Sequence, residues 1–255
     1  MSYFLVAAIV LGVAAVAAGL AWYARRSVRL ETLQQHHEVG SAVFLQLGVI
    51  YAVLIAFVFS EVWGEYNTAA SAVNQECAGL HGVAVLAEGL PPEARDPIVA
   101  DLQAYLRDVV DLEWPAMAGR KPSAIAQRAF VQLWTTVASG KGPGGRDDAT
   151  RSQILTELAI AHRWRETRLF QMTLHVPGLL WVVLIGLGLV LVGFLLCFGI
   201  EYVVSQVVFT AVFAGAVALV LALVQCLDFP FEGALRLAPD DFRLTLLRIS
   251  PDRGG

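Results

Sequence analysis

The segment Ala42–Phe59 reads AVFLQLGVIYAVLIAFVF and contains no charged residue. An α-helix rises about 1.5 Å per residue, so roughly 20 apolar residues cross the ~30 Å hydrocarbon core of a bilayer. The segment therefore predicts a membrane-spanning helix. No proline follows until Pro91, so we expect the same helix to continue to about Glu88, where Pro91 and Pro92 end it.

Three further segments have the length and the apolar composition of membrane spans: Tyr3–Tyr23, Gly178–Phe198 and Val203–Leu227. The last two contain no charged residue, which supports the assignment because a charge in the middle of a span is costly. The whole chain is 57% hydrophobic and 16% charged, whereas soluble domains are roughly 45–50% apolar and about 25% charged. We therefore predict an integral membrane protein with four transmembrane helices.

The first span does not have the pattern of a cleaved signal peptide. Such peptides begin with positive charge and have an apolar core of about 7–15 residues. Here the apolar run is longer, no Lys or Arg precedes it, and Arg25 and Arg26 follow it. We interpret the segment as a membrane span that stays in the protein.

The residues between the second and third spans, 60–177, are long enough for an aqueous domain. After the extension of the second helix, apolar residues at helical spacing predict helices at Pro92–Asp111, at Ser123–Ala138 and from Asp147 to Thr173. The intervening EWPAMAGRKPS, residues 113–123, predicts an exposed loop, and no segment has the pattern of a strand. We expect an all-α fold in four parts: two transmembrane helices in 1–59, a helical extramembrane domain in 60–177, two transmembrane helices in 178–227, and a C-terminal tail in 228–255.

The sequence CLDFPFEG, Cys226–Gly233, follows the fourth span. Asp228 is expected where the last span meets water, and Pro230 prevents the helix from continuing. Gly233 favours a turn. We predict that Phe229 and Phe231 lie at the membrane interface.

Motifs of common enzyme chemistry are absent from the sequence: there is no HExxH, no phosphate-binding Walker loop, no GxSxG and no paired CxxC. His36 and His37 are adjacent, so on a helix they point about 100° apart and do not form a metal site together. Cys197 and Cys226 end consecutive antiparallel spans and are expected on opposite membrane faces. We therefore predict no catalytic site, no metal and no cofactor. Nucleic acid is not an expected partner either, because the net charge is −4 and no basic cluster contains interleaved aromatic residues.

Four segments form a distinctive combination: EVWGEYNTAASAVNQECAGL (Glu61–Leu80), YLRDVVDLEWPAM (Tyr105–Met117), RETRLFQMTLHVPGLLWVVLIGLG (Arg165–Gly188) and LDFPFEG (Leu227–Gly233). Over about residues 40–245, the chain resembles the bacterial bestrophin-like domain family, which is distantly related to bestrophin anion channels. The Asp228, Pro230, Phe231 and Gly233 motif is part of this resemblance. It implies a homo-oligomer, by analogy a pentamer, in the bacterial inner membrane, with the second helix of each subunit lining a central pore.

The resemblance also implies large apolar residues at four-residue spacing along the pore. Tyr51, Ile55, Phe59 and Trp63 have this spacing and are the predicted pore-lining residues. The alternative is that this face packs against lipid or other helices.

Two acids follow the second span, because Glu61 and Glu65 lie one helical turn apart. Five subunits would arrange them in two acidic rings, which argue against simple anion selectivity at that level. The alternative is a solvated helix face.

A third acid, Glu76, falls in an apolar stripe of seven-residue spacing. The members of this stripe are Val62, Ala69, Glu76 and Val83. A buried carboxylate requires a partner. Arg165 and Arg168, which precede the third span, are the predicted partners, and Arg163 is the alternative one. A partly exposed Glu76 without such a pair is the competing interpretation.

We therefore expect a homo-oligomeric channel or channel-like protein for small ions, with anions as the first candidates. The alternative is a non-conducting membrane protein whose helical domain senses a signal or recruits a partner.

The positive charges give two opposite indications of membrane orientation. Those between the first two spans, Arg25, Arg26 and Arg29, favour an outward-facing extramembrane domain. Others flank the spans on the side of that domain: Arg163, Arg165, Arg168, Arg236 and Arg243. Together with the resemblance, these lead us to expect a cytoplasmic domain.

Overall fold

The structure is a computed structural model that describes residues 2–27, 37–140, 146–198, 200 and 202–249. Its α-helices, in chain order, are α1 Tyr3–Ser27, α2 His37–Ala87, α3 Pro92–Asp108, α4 Trp114–Met117, α5 Ala124–Ser139, α6 Arg146–Gln171, α7 Gly178–Cys197, α8 Val203–Leu227 and α9 Asp240–Ile249. A π-helix at Val109–Glu113 joins α3 to α4. Within the described ranges no residue is in a strand, which confirms the predicted all-α class.

Four helices are long and apolar enough to cross a membrane. They are α1, the Gly40–Ala87 part of α2, α7 and α8. Each predicted span lies within one of these helices, apart from Phe198 just after α7, and α2 continues to Ala87 without interruption. The prediction of four transmembrane helices, with the second much longer than a bilayer requires, is therefore confirmed.

The chain divides into two compact units. The first contains Met1–Gly64, His175–Phe229 and Gly233–Leu235. The second contains Glu65–Leu174, Pro230–Glu232 and Arg236–Gly255.

In the first unit, side chains satisfy polar groups near both ends of α7. The Gln206 amide donates hydrogen bonds to the carbonyl oxygens of Leu195 and Leu196, both at 3.3 Å. At the other end, the Asp228 carboxylate accepts the backbone N–H of Val176 at 2.8 Å. Such partners matter in an apolar unit because lipid offers no hydrogen bonds to free helix ends.

In the second unit, five helices enclose a hydrophobic core around one face of α2. Its fully buried side chains include Ala69, Leu80 and Val83 of α2, Ile98, Leu102, Tyr105 and Leu106 of α3, Leu133 of α5, Ile154 and Leu158 of α6, and Phe242 of α9. The ring of Tyr105 packs edge-on against Phe130 of α5, with centroids 5.2 Å apart. The apolar stripe of α2 thus packs into this core, as amphipathic helices do.

Two predictions about local structure are wrong. Residues 114–117 form α4 instead of an exposed loop, and Trp114 and Met117 are buried, whereas residues 118–122 are an exposed turn and loop as predicted. Phe231 is not at a membrane interface, because it is 3% exposed and its ring lies 5.6 Å from that of Trp114. The C-terminal tail contains a helix, α9, whose Phe242 enters the core.

Candidate functional site: the uncovered face of α2 and the buried ionic cluster

One face of α2 is left exposed by the parts of the chain that the structure describes. In the first unit this face includes Val49, Val53 and Ser60, and the two valines are 61% and 66% exposed. In the second unit Asn67, Ser71, Asn74 and Ala78 are exposed. These positions recur at intervals of three, four and seven residues, which keeps them on one side of a single α-helix. We call them the uncovered face.

The predicted pore-lining residues do not share one environment. Tyr51 is 7% exposed, and its hydroxyl lies 3.4 Å from the position that a Cβ on Gly188 of α7 would take. Ile55 is half-buried, whereas Trp63 is 48% exposed and stacks on Phe59 with ring centroids 6.4 Å apart. A spacing of four residues turns by about 40° per step, so Tyr51 and Trp63 point roughly 120° apart. Tyr51 therefore faces the interior of the first unit, away from the uncovered face.

The predicted acidic residues do not lie on the uncovered face. Glu61 is exposed and Glu65 is half-buried. At about 100° per residue, their side chains point roughly 100–140° away from that of Ser60. The members of the uncovered face named above are themselves uncharged.

Behind the opposite face of α2, two acids and two arginines form a buried ionic cluster of Glu76, Glu113, Arg165 and Arg168. The Arg168 guanidinium donates to both oxygens of Glu76, at 2.8 and 3.2 Å, and to Glu113 at 2.7 Å. Arg165 donates to the other oxygen of Glu113 at 2.6 Å. Each of the four side chains is at most 1% exposed. The charges balance two against two, which is required because an isolated buried charge costs several kcal/mol.

Neutral groups complete the cluster. The Tyr105 hydroxyl donates to Glu76 Oε1 at 2.6 Å, and Arg165 donates to the Gln127 side-chain oxygen. The remaining Arg168 nitrogen lies 2.8 Å from the Met117 sulfur. The Arg168 guanidinium is also 5.3 Å from the ring centroid of Phe242 on α9, within the range of a cation–π contact. The cluster therefore joins α2, the π-helix and α6 directly, and α3, α5 and α9 through these partners.

Two pKa values reflect this environment. Burial raises the pKa of Tyr105 well above 10, and the Glu76 carboxylate raises it further. Burial disfavours the charged form of Arg168, but the Glu76 and Glu113 carboxylates outweigh this effect and raise the pKa of its guanidinium. Both residues are therefore held in their protonated forms, in which they donate to Glu76.

The π-helix explains how Glu113 reaches the cluster. Pro115 has no N–H with which to continue an α-helix, and the wider π-helical turn of Val109–Glu113 lies just before it. Tyr105, Val109, Glu113 and Met117 are all buried at four-residue spacing. A regular α-helix would turn this set by about 40° per step, whereas a π-helical turn comes closer to keeping it on one side.

The residues of the CLDFPFEG motif have separate structural roles. Asp228 is 2% exposed and binds the Val176 N–H described above. The Pro230 carbonyl accepts the Leu237 N–H at 2.7 Å. Gly233 has φ 79°, a left-handed conformation that favours glycine. Phe231 fills the core of the second unit.

Among the described residues, no group of three or more His, Cys, Asp or Glu side chains is placed to hold a metal ion. The predicted His36–His37 pair lies outside the described side chains. Cys77, Cys197 and Cys226 are free thiols, and Cys77 and Cys226 are buried.

The sequence predicts Arg165 and Arg168 as the partners of Glu76. In the structure Arg168 contacts Glu76, whereas Arg165 contacts Glu113. Arg163, the alternative partner, is exposed. Sequence reasoning missed Glu113 and Tyr105. Tyr105 and Glu113 are eight residues apart, with Val109 midway between them, and this spacing is the only indication in the sequence that they share a side. It indicates a shared side only if the π-helical turn is already known.

Comparisons with known proteins agree with this architecture. A model of the bestrophin-like domain family matches residues 11–242. The chain is similar in structure to a variant of a bacterial bestrophin homologue from Klebsiella pneumoniae, with a TM-score of 0.75 at 16% identity over 96% of each chain. A second variant gives a TM-score of 0.74 at 15% identity, covering 95% of this chain and 96% of the other. A further structure of the Klebsiella pneumoniae homologue gives 0.72 at 16% identity, covering 92% and 95%.

A search of curated proteins found no match. At 15–16% identity the solved structures establish a shared fold. The family match, in contrast, extends over most of the sequence. The chain therefore belongs to the bestrophin-like domain family.

Proposed function

We propose that the protein is a homo-oligomeric membrane channel for small ions, and that the uncovered face of α2 lines its pore. The observation that carries this proposal is the continuity of that face, which recurs from Val49 to Ala78 on one helix. The other three predicted spans are covered by apolar residues suited to lipid, whereas the face of α2 becomes polar beyond Ser60. Membership of the bestrophin-like domain family supports a pentamer.

The composition of the uncovered face suggests two zones along the pore. Val49 and Val53 would form an apolar constriction, which gates ions through the cost of removing their water. Asn67, Ser71 and Asn74 would form a wider, hydrated zone with hydrogen-bonding groups and no charge. Without a fixed charge on this face, monovalent ions with weakly held water are expected to pass most readily, and anions are the first ones to test.

The buried ionic cluster has a positioning role in this proposal. Glu76 projects from the buried side of α2, so its bonds to Arg168 fix the rotation of the helix about its own axis. A helix rotated by one residue, about 100°, would replace Ser71 in the pore by a neighbour from the buried side. The cluster therefore determines which residues face the ions without touching them.

The test is conductance of the purified oligomer in planar bilayers, with reversal potentials measured in a KCl gradient. Val53→Ser is expected to change the single-channel conductance by roughly twofold or more, because it makes an apolar constriction polar. Leu11→Ser is the matched control, since Leu11 on α1 is 69% exposed and is assigned to lipid. An intact oligomer that carries no current would instead favour the non-conducting alternative, in which the helical domain senses a signal or recruits a partner.

We also propose that the extramembrane domain lies in the cytoplasm of a bacterial cell. Arg163 and Arg243, on the same side of the spans as this domain, are exposed. Positively charged residues near span ends favour the cytoplasmic side. A reporter that is active only in the cytoplasm should be active when it is fused after Gly255. If a reporter that is active only in the periplasm is active at the same position, the orientation is reversed.

A further inference from the structure

In the second unit, α9 borders the uncovered face of α2 on one side. Asn74, Ala78 and His81 of α2 line a cavity of about 300 Å³ together with Asp241 and Thr245 of α9. Ala78 belongs to the uncovered face, and His81 lies one turn further and about 60° to its side. The helix α9 is thus at the edge of the face.

The helix α6 borders the same face on its other side. A Cβ on Gly79 would lie 3.2 Å from the Glu157 carbonyl oxygen and 3.3 Å from the Ala161 Cβ, and a Cβ on Gly82 would lie 3.2 Å from the Glu157 carboxyl group. The two glycines thereby allow α6 to approach α2 closely. Gly82 follows His81 directly, so their side-chain directions around the axis of α2 differ by about 100°. The direction of Ala78 lies between these two.

Both bordering helices carry apolar side chains that are partly or largely exposed. On α9, Leu244 is 50% and Leu247 is 71% exposed. On α6, Ile160 and Trp164 are half-buried. Each of these is two residues from His162, which stacks on Phe130 of α5, so they point roughly 160° away from α5.

The two apolar patches lie at the same level along α2. Trp164 stands between Ala161, which is next to Gly79, and Arg168, which binds Glu76. Trp164 is therefore level with residues 76–79 of α2, and Ile160, which precedes Ala161 directly, is close to the level of Gly79. Leu244 and Thr245 of α9 line a cavity together with positions 74–81, so Leu244 occupies the same range. Leu247 is three residues, about one helical turn, further along α9.

We infer that α9 of one subunit packs, through Leu244 and Leu247, against Ile160 and Trp164 on α6 of the next subunit. This inference rests on the proposed function, because it places the uncovered face of α2 towards a common axis. The subunits are related by rotation about an axis parallel to α2, and this rotation does not change the height of a residue along the axis. The α9 helix of one subunit and the α6 helix of the next must therefore meet at equal height. The contact is heterologous, with different surfaces on the two partners, and such contacts generate a ring when the rotation between subunits closes.

The interface can be tested by disulfide crosslinking of the full chain in detergent. Cys197 is replaced by Ser, while the buried Cys77 and Cys226 remain. In this background, the double variant Leu247→Cys/Ile160→Cys is expected to form, upon mild oxidation, a ladder of covalent oligomers that a reducing agent collapses to the monomer. Each single variant should stay monomeric on the same denaturing gel.

A matched control pairs Leu247→Cys with Val131→Cys, because Val131 is 52% exposed but lies on α5. This pair should give no ladder. A covalent dimer from Leu247→Cys alone would show a symmetric contact and overturn the inference, and so would a double variant without intermolecular bonds. Conductance is measured separately on the uncrosslinked protein, so an oligomer that forms the ladder but carries no current would contradict the channel and leave the interface standing.

Discussion

The Arg168 guanidinium holds the Glu76 carboxylate through two hydrogen bonds, of 2.8 and 3.2 Å, and both side chains are fully buried. The two residues are separated by 92 positions in the sequence, on α2 and α6. Their contact therefore fastens the long helix to the helix that precedes the third span.

Removing the Glu76 carboxylate should destabilise the protein strongly. Glu76→Ala leaves the positive charge of Arg168 with only one buried acid, and breaking a buried ion pair costs about 3–5 kcal/mol. Thermal unfolding in detergent, followed by circular dichroism, should show a clearly lower Tm.

Glu88→Ala is the control for this prediction, because the Glu88–Arg95 pair is solvent-exposed and such pairs contribute less than about 1 kcal/mol. Combining Glu76→Ala with Arg168→Met should cost less than the sum of the two single changes, since the residues contact each other. Equal melting of Glu76→Ala and Glu88→Ala would contradict the buried pair.

The raised pKa of Tyr105 predicts a loss of stability at alkaline pH. The folded chain holds the phenol proton more tightly than the unfolded chain, because burial and Glu76 raise the pKa of Tyr105. Its contribution is therefore complete below the unfolded pKa of about 10 and decreases as the pH rises above it.

Tyr105→Phe should remove this part of the pH dependence. It should also cost about 1.5–3 kcal/mol at neutral pH, the range for a hydrogen bond to a charged group. Melting curves between about pH 8 and pH 11, on both sides of the free tyrosine pKa of about 10, provide the measurement. If both proteins lose the same stability above pH 10, another group causes the loss.

Gly79 should not tolerate a methyl group. Gly79→Ala would bring a Cβ to 3.2–3.3 Å from the backbone of α6 and from Ala161, so the two helices must move apart. Overpacking of this kind costs about 1–3 kcal/mol. Gly12→Ala on α1 is the control, because nothing lies within 4 Å of its Cβ position. Similar Tm values for both variants would mean that α6 is less closely packed on α2.

Asp228 should contribute stability through the backbone N–H of Val176. Asp228→Ala leaves this buried donor without an acceptor and is expected to cost about 1–3 kcal/mol. Asp228→Asn retains an acceptor oxygen and should lose less. The exposed Asp240 provides the control, since Asp240→Ala should leave the Tm almost unchanged. The prediction fails if the alanine and asparagine variants at 228 melt together with this control.

The long helices could be predicted because their signals are local. The charge-free Ala42–Phe59 segment and the absence of proline before Pro91 suffice to predict α2. The seven-residue spacing also predicted that Glu76 is on the buried side. In each case the relevant information is helix length or periodicity along one continuous segment.

The remaining features depend on geometry that sequence spacing does not determine. The four-residue spacing from Tyr51 to Trp63 suggested a common face. Each step of four residues turns about 40° beyond a full turn, however, so Tyr51 and Trp63 point in different directions. Glu113 enters the cluster through a π-helical turn beside Pro115, and Phe231 enters a core made by distant helices. These placements depend on tertiary packing, which overrides the local pattern.

The position of Phe242 has a consequence for the synthesis of the protein. The ribosome makes α9 after the helices that carry Glu76, Glu113 and Arg168. Until then, the guanidinium of Arg168 has no aromatic ring of α9 beside it and remains accessible to water from that side. A chain that terminates before Asp240 would lack Phe242, and its Arg168 guanidinium would be open to water on the side where that ring packs.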